Sequence, residues 1–407
     1  MDHRSLLLIT GILVFLIAAT IAVALLRRRK DSTIDISIID TCRSRIQAWW
    51  IFFGLLACAL ILGTVATTFF FFMLSFWALR EYITLTPSKL ADHRTLFLLY
   101  FIWTPLQFFL VGVNDEWFIN VFGISSYQVY SVLIPVYAFL ILPATIAVYN
   151  DTKNYLERVG KIQFGLVICV YSLSFAPALL TTTIPNERQS ASVTPAIYEG
   201  GVETNILALP QVIEGTPAKE DSETEGEGPK VAQETDPAAE KTELAEVESV
   251  TIPEVLREKP MCKQMTSDHL CLLFFFIFIV QMSDIFQYLW SQFFRRGVIA
   301  ESINKNKTWG GVFAGALSTS LLAMGLWYFV PLPKWWQPLI IGFVVSLMGF
   351  AGSITFSAIK RDKGVTEYGQ LVEGHNGVLD RIDSLCFAAP VYFHLVWIFL
   401  HLEMRSF

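Results

Sequence analysis

The chain alternates between long apolar runs and short polar stretches, and the apolar runs determine its predicted architecture. Runs of about 18 or more apolar residues are long enough to cross a hydrocarbon core of ~30 Å as helices. The first run, 6–26, is followed directly by basic residues at 27–30, so its C-terminal end is predicted to face the cytoplasm. Because the charge follows the run and no small-residue cleavage site precedes it, we predict an anchor rather than a signal peptide.

The apolar run 49–79 is too long for a single span, since one helix of that length would measure ~46 Å. Gly63 and Thr64 near its middle predict a break into two short helices. With this break, the chain has ten predicted spans. The spans after 49–79 are 95–113, 129–148, 164–184, 269–290, 310–330, 338–359 and 385–402.

Charge supports ten spans with the N-terminus outside. The predicted inner loops carry 20 Lys and Arg, whereas the short outer segments carry three. Counting 49–79 as one helix would place basic loops on both sides of the membrane. The predicted inner loops are 27–48, 80–94, 149–162, 291–309 and 360–384.

Composition agrees with a membrane protein, since 54% of residues are hydrophobic, 16% are charged and the mean hydropathy is +0.50. Residues 184–268 differ, with 18 Asp and Glu against 7 Lys and Arg and few aromatic residues. Such a segment buries too little apolar surface to offset its ordering entropy, so we predict a disordered acidic loop outside the membrane.

The predicted fold is an all-α integral membrane protein with about ten transmembrane helices. Its predicted parts are 1–48, an anchor helix with a basic segment; 49–184, the N-terminal membrane helices; 185–268, the acidic loop; and 269–407, a C-terminal catalytic membrane domain.

The first candidate site lies near the inner end of the apolar run 269–290. Gln281, Asp284, Gln287 and Tyr288 recur at three- or four-residue spacing and form one polar stripe. A carboxylate within a membrane helix is unfavourable and indicates a functional site, although a structural hydrogen bond between helices is the alternative.

The second candidate is the polar stretch 304–311, a predicted loop that leads into a helix. Lys307 and Thr308 beside a helix N-terminus suit phosphate oxygens, although inner-loop lysines also serve to set topology. No P-loop, GxGxxG or HExxH motif is present, and the basic residues do not indicate a nucleic-acid partner.

The third candidate is the stretch 357–383, which lies between the last two apolar runs. It offers cations at Lys360 and Arg361, and carboxylates at Asp380 and Asp383 that share one helix face. Two such carboxylates, joined by one from another helix, can hold Mg²⁺ against phosphate oxygens while cations neutralise developing charge. Mutual salt bridges are the alternative.

Together these residues resemble the phosphatidate cytidylyltransferase (CDP-diacylglycerol synthase) family. Asp284 corresponds to its membrane aspartate, and the resemblance is strongest over 269–402. The positions of its C-terminal signature that match in register include Ser357, Lys360, Arg361, Gly369, Gly374, His375, Gly377, Asp380, Arg381 and Asp383.

The resemblance implies that the phosphate of phosphatidic acid attacks the α-phosphorus of CTP, so that CDP-diacylglycerol forms and pyrophosphate leaves. It implies Mg²⁺, with a second cation left open, a lipid that arrives from the bilayer, and a homodimer. The implied location is a bacterial inner membrane with the site facing the cytoplasm. The implied metal or nucleotide ligands are Asp284, Asp380 and Asp383, and the implied phosphate-binding residues are Lys307, Lys360, Arg361 and Arg381. The stretches themselves add Thr308, Ser357 and His375 as phosphate-binding candidates, and Glu367 as a metal ligand that would compensate for a missing carboxylate.

The chain departs from the family pattern at several positions. Ser353 replaces an aspartate, Gly310 a glutamate and Asn376 a glycine, while Thr366 and Glu367 replace Lys-Asp. Without a carboxylate at 353, the site lacks a negative charge that would attract a divalent cation. A non-catalytic scaffold or lipid-binding protein of the same fold is therefore the second hypothesis. A transporter is the third, but we find no internal repeat and the charges cluster at one surface.

Overall fold

The computed structural model of the protein describes residues 3–28, 36–85, 92–148, 154–181, 267–294, 297–365 and 377–404. All of them belong to one compact unit, Met1–Pro185 with Lys259–Phe407. The acidic segment predicted to be disordered, 185–268, lies outside the described residues except for Ser267 and Asp268, which begin a helix.

The described residues are mostly helical and form eleven helices, three of which contain a π-helical segment (Leu99–Trp103, Leu133–Ala138 and Leu166–Ser172). In chain order they are α1 (His3–Arg28), α2 (Ile36–Ile61), α3 (Thr64–Thr84), α4 (His93–Gly112), α5 (Asp115–Phe122), α6 (Ser126–Val148), α7 (Tyr155–Ala178), α8 (Ser267–Phe293), α9 (Trp309–Gly325), α10 (Trp336–Asp362) and α11 (Leu379–Met404).

Six of the described helices, α4, α6, α7, α8, α10 and α11, are long and apolar enough to cross a membrane, so the chain is a membrane protein. Shorter apolar stretches occur in α1 (Ile9–Leu25), α2 (Trp49–Ile61) and α9 (Trp309–Gly325). Helices therefore occupy each of the ten predicted positions, whereas the number of membrane spans stays a prediction.

The break predicted in the middle of the apolar run 49–79 is confirmed. Helix α2 ends at Ile61, and α3 begins at Thr64. Gly63 between them has a backbone φ of 102°, which lies in the left-handed region that glycine adopts without steric conflict. A glycine at this point therefore lets an uninterrupted apolar sequence form two helices.

A short antiparallel β-ribbon corrects the all-α prediction. Strand β1 (Val298–Ala300) pairs with β2 (Asn304–Thr308), so the stretch predicted as a polar loop is a strand. The partner strand β1 is only three residues long, which is too short to show the alternation of apolar and polar residues by which a strand is recognised in sequence. The ribbon leads directly into α9.

Helices α8, α9 and α10 pack with their backbones close together at three glycines of α9 and α10. A Cβ on Gly315 of α9 would lie 2.7 Å from the Gln287 side chain of α8, and Gly311 lies against Ser291 one turn away. A Cβ on Gly342 of α10 would lie 2.7 Å from Ala323 of α9. Small residues at such contacts allow close packing of membrane helices, which here fixes the polar face of α8 inside the bundle.

Four of the predicted inner loops meet at one end of the compact unit. Asp92, just before α4, forms a buried ion pair with Arg158 of α7, with both carboxylate oxygens 3.0 Å from Nε. Arg361 at the end of α10 donates from Nε to the Ile303 carbonyl in the β-ribbon over 3.3 Å. Glu81, in 80–94, also accepts the backbone N–H of Val378, in 360–384, so the three contacts together join the four loops.

Candidate active site

Two of the predicted carboxylates, Asp284 and Asp383, meet where α8 packs against the start of α11. Between them lies the buried hydroxyl of Ser384, whose Oγ donates to Oδ1 of Asp284 over 2.9 Å and lies 3.4 Å from Oδ1 of Asp383. The Ser384 backbone N–H also donates to Oδ1 of Asp383 over 2.8 Å. The two carboxylates therefore form one small polar centre inside an otherwise apolar bundle.

The backbone of α10 passes close to this centre because it carries glycine there. A Cβ on Gly352 would lie only 2.6 Å from the carbonyl oxygen of Asp383 and 3.0 Å from the Phe387 ring. One turn earlier, a Cβ on Gly349 would lie 3.5 Å from the Ser384 Cβ, an ordinary van der Waals distance. The spacing of α10 and α11 at Asp383 thus depends on the absence of a side chain at position 352.

Asp380, the third predicted carboxylate, forms an ion pair with Lys360 at the end of α10. Its Oδ1 lies 2.6 Å from Lys360 Nζ, and the side chains are 7% and 19% exposed. Thus the three predicted carboxylates divide into a pair, Asp284 with Asp383, and an ion-paired Asp380. Among the described residues, no group of three His, Cys, Asp or Glu is placed to hold a metal ion.

Lys307 of β2 contacts the polar face of α8. Its Nζ lies 3.4 Å from Oε1 of Gln287, one turn after Asp284 on α8, and 5.4 Å from the centre of the Phe350 ring. Gln287 is buried, and its amide nitrogen donates to Ser346, which directs the amide oxygen toward Lys307.

Two of the predicted phosphate-binding hydroxyls make local bonds instead. Thr308 Oγ1 accepts the backbone N–H of Gly311 over 3.1 Å and so caps α9, which partly satisfies the N–H groups predicted to face a phosphate. Ser357 Oγ donates to the carbonyl of Ser353, one turn earlier in α10, over 2.7 Å. Neither of these hydrogen bonds joins the hydroxyls to the carboxylate pair.

Of the remaining predicted site residues, Arg381 lies within the described part of the chain, whereas His375 and Glu367 do not. Arg381 is half-buried in the first turn of α11, where its backbone N–H donates to the Val378 carbonyl over 3.0 Å. His375 and Glu367 lie outside the described residues, as do the departures Thr366 and Asn376.

Two residues that organise the centre, Ser384 and Glu81, were not predicted from the sequence. Ser384 directly follows Asp383, and a small polar residue at the start of an apolar helix is the signal that could have identified it. Glu81 accepts the backbone N–H groups of Val378 and Leu379 at the start of α11. No local pattern predicts that contact, because the partners are 297 and 298 residues apart in sequence.

Comparison with known proteins identifies the family to which the chain belongs. A model described as the cytidylyltransferase family matches residues 43–399, which include the whole described site. The chain belongs to the cytidylyltransferase family. The resemblance that the sequence motifs indicate is therefore confirmed.

Individual relatives of this cytidylyltransferase-family protein fall into two groups. The uncharacterized protein YnbB of Escherichia coli strain K12 is 26% identical over 355 residues, which cover 86% of each chain. A phosphatidate cytidylyltransferase of Staphylococcus epidermidis is 32% identical over 126 residues, 31% of this chain and 48% of the relative. The chloroplastic phosphatidate cytidylyltransferase 5 of Arabidopsis thaliana is 37% identical over 122 residues, 28% of this chain and 29% of the relative. The chain thus matches half or less of the length of these two named enzymes.

The donor set of this cytidylyltransferase-family centre fits a magnesium ion. Asp284, Asp383 and Ser384 offer two carboxylates and a hydroxyl, the hard oxygen ligands that Mg²⁺ prefers. Magnesium is usually bound by only one or two carboxylates together with water and substrate phosphates, so a third protein carboxylate is not required. Two adjacent half-buried carboxylates also favour a neighbouring cation because they repel each other.

One departure from the family pattern has a steric reason. At Gly310, where the pattern has glutamate, a Cβ would lie 2.8 Å from the Cβ of Phe294 at the end of α8. A longer side chain would require the Phe294 backbone to move, so glycine and this packing occur together. Nothing in the structure explains the serine at position 353.

Proposed function

We propose that the protein transfers the cytidylyl group of CTP to phosphatidic acid and so makes CDP-diacylglycerol and pyrophosphate. The observation that carries this proposal is the meeting of Asp284 and Asp383 across Ser384 at the charged end of the helix bundle. The partial match to named phosphatidate cytidylyltransferases supports the same chemistry.

In the proposed reaction, a phosphate oxygen of phosphatidic acid forms a bond to the α-phosphorus of CTP. The bond from that phosphorus to the bridging oxygen of the β-phosphate breaks, and the electron pair leaves with pyrophosphate. Asp284 and Asp383 would hold Mg²⁺, which when bound neutralises charge on the triphosphate and polarises the α-phosphorus. The chain's own task is then to bring two anionic substrates together and to stabilise the leaving group.

The cations around the carboxylate pair suit that task. Lys307 of β2 lies 3.4 Å from the amide oxygen of Gln287, and Lys360 at the end of α10 forms an ion pair with Asp380. Fixed ammonium groups stabilise the charge that develops on pyrophosphate. Arg361 and Arg381 are the proposed secondary phosphate contacts, and His375 stays a candidate from sequence.

The proposed setting is the inner membrane of a bacterium, with the site facing the cytoplasm, where CTP is present. Phosphatidic acid would arrive sideways from the inner leaflet, since the carboxylate pair lies at the charged ends of membrane helices. A homodimer is proposed from the family resemblance alone. No nucleic-acid partner is proposed.

Purified protein in detergent tests the proposal. With CTP, Mg²⁺ and phosphatidic acid, the wild type should release pyrophosphate and form CDP-diacylglycerol. Asp383→Asn should remove this turnover while the melting temperature stays within a few degrees of wild type. Asp115→Asn is the matched control, because that carboxylate bonds to Ser125 and Ser126 at the start of another helix. Equal turnover in wild type and Asp383→Asn would refute the site assignment.

The second candidate is a non-catalytic scaffold or lipid-binding protein, and Ser353 is the observation in its favour. Ser353→Asp restores the carboxylate of the family pattern and separates the two candidates. A wild type that is inactive with every nucleotide, together with a large gain of turnover in Ser353→Asp, would identify an enzyme that has lost its activity. Turnover by the wild type, little changed in Ser353→Asp, would identify an enzyme that functions without that group.

A further inference from the structure

The start of α11 is held by a carboxylate from the other half of the chain. Glu81 lies in the last turn of α3 and is 2% exposed. Its Oε1 accepts the backbone N–H of Val378 over 3.0 Å, and its Oε2 accepts the backbone N–H of Leu379 over 2.8 Å. Both oxygens of one side chain are therefore directed at the same helix start.

This contact performs a task that the local sequence cannot perform. The first N–H groups of a helix have no partner within the helix and need a capping acceptor. Val378 is the residue before α11, and its apolar side chain cannot accept a hydrogen bond. A carboxylate is the strongest acceptor for this purpose, and its negative charge interacts favourably with the positive end of the helix dipole.

The position of this cap matters because α11 carries Asp383 close to its start. Asp383 lies four residues after Leu379, which corresponds to about 6 Å along the helix axis. A displacement of the first turn therefore moves Asp383 relative to Asp284, which lies on a different helix.

We propose that Glu81 is a positioning residue, which fixes the start of α11 and thereby holds Asp383 at the distance from Asp284 that a divalent cation requires. It does so without contacting the cation or the substrates. As far as turnover is concerned, this inference rests on the proposed function. The contact also gives the N-terminal helices a direct role in a site whose other described residues come from 284–384.

The test removes the contact from each side. Glu81→Gln keeps the size of the side chain but replaces one acceptor oxygen by an NH₂ group, which would face an N–H donor. Val378→Pro removes one N–H donor and leaves Glu81 unchanged, at a position where proline is compatible with a helix start. Asp115→Asn is the control, since it alters a carboxylate that accepts the Ser126 N–H at the start of α6.

Binding of Mn²⁺ in the presence of CTP, measured by electron paramagnetic resonance on the full chain, is the readout that needs no turnover. We expect Glu81→Gln to weaken Mn²⁺ binding about tenfold, Val378→Pro to weaken it less, and the double variant to equal Glu81→Gln alone, because both changes remove one contact. In turnover assays, kcat should fall about tenfold in Glu81→Gln, with KM for CTP and phosphatidic acid within threefold of wild type. Asp115→Asn should change neither quantity more than twofold.

Mn²⁺ affinity and kcat in Glu81→Gln that equal those of wild type would overturn the inference while leaving the proposed function intact. Additive effects in the double variant would overturn it as well. A wild type without turnover would refute the proposed function, and the Mn²⁺ titration would still decide the role of Glu81. If Glu81→Gln does not fold, Val378→Pro decides alone, and unchanged Mn²⁺ affinity in that variant would overturn the inference.

Discussion

Replacing Gly352 by alanine should inactivate the protein, and the reason lies in one distance. The added Cβ would lie 2.6 Å from the carbonyl oxygen of Asp383, whereas an ordinary contact begins near 3.4 Å. Helices α10 and α11 must therefore separate by about 0.8 Å at the residue that the proposed mechanism depends on most. Because the obstructing atom belongs to the backbone, a change of rotamer cannot relieve the contact.

Two magnitudes follow from this displacement. Overpacking of this kind costs about 1–3 kcal/mol, partly offset by the ~0.5–1 kcal/mol that alanine gains over glycine in a helix. A misplacement of about 1 Å at a reacting centre can lower the rate on the order of 10²-fold. We therefore expect a small loss of thermal stability together with a large loss of turnover.

Gly349→Ala is the matched control on the same helix. Its added Cβ would lie 3.5 Å from Ser283 Oγ and from Ser384 Cβ, so it fits without movement. The assay is pyrophosphate release from CTP by the detergent-purified variants, with the melting temperature measured in parallel. Turnover in Gly352→Ala equal to that in Gly349→Ala would show that the close approach of α10 does not position Asp383.

Three further changes address other contacts of the site and the fold. Ser384→Ala removes the hydrogen bond from Oγ to the Asp284 carboxylate, and a hydrogen bond to a charged group contributes about 1.5–3 kcal/mol. We therefore expect the Mg²⁺ concentration for half-maximal turnover to rise at least about tenfold, and an unchanged Mg²⁺ titration would contradict this. Lys360→Met should lower kcat on the order of 10²-fold and Lys360→Arg less, and equal kcat values in both would argue against a cationic role. Asp92→Asn should lower the melting temperature strongly, since breaking a buried ion pair costs about 3–5 kcal/mol, while the Mg²⁺ titration of the remaining folded protein stays unchanged.

The sequence predicted those parts of the molecule that depend on local chemistry. The break at Gly63 follows from span length together with one glycine, and the structure confirms it. The proximity of Asp284 and Asp383 followed from a motif resemblance, since the two residues lie 99 positions apart. The strand at Asn304–Thr308 was missed because a three-residue partner leaves no periodic signal.

Other features could not be predicted because they depend on distances between helices. Asp380 was expected to join the other carboxylates because of its spacing to Asp383 on the same helix. That spacing gives no information about Lys360 on the neighbouring helix, with which Asp380 forms an ion pair. The same limit applies to Ser384, whose role depends on where α8 lies. Glu81 is the extreme case, since its partners are backbone groups that any sequence would supply.

The cap at Glu81 also has a consequence for biogenesis. Ribosomes add about 5–20 residues per second, so the 297 residues between Glu81 and Val378 take roughly 15–60 s to synthesise. Glu81 is therefore synthesised well before both of its hydrogen-bond partners, and the contact that holds the start of α11 can form only after Val378 and Leu379 have been made.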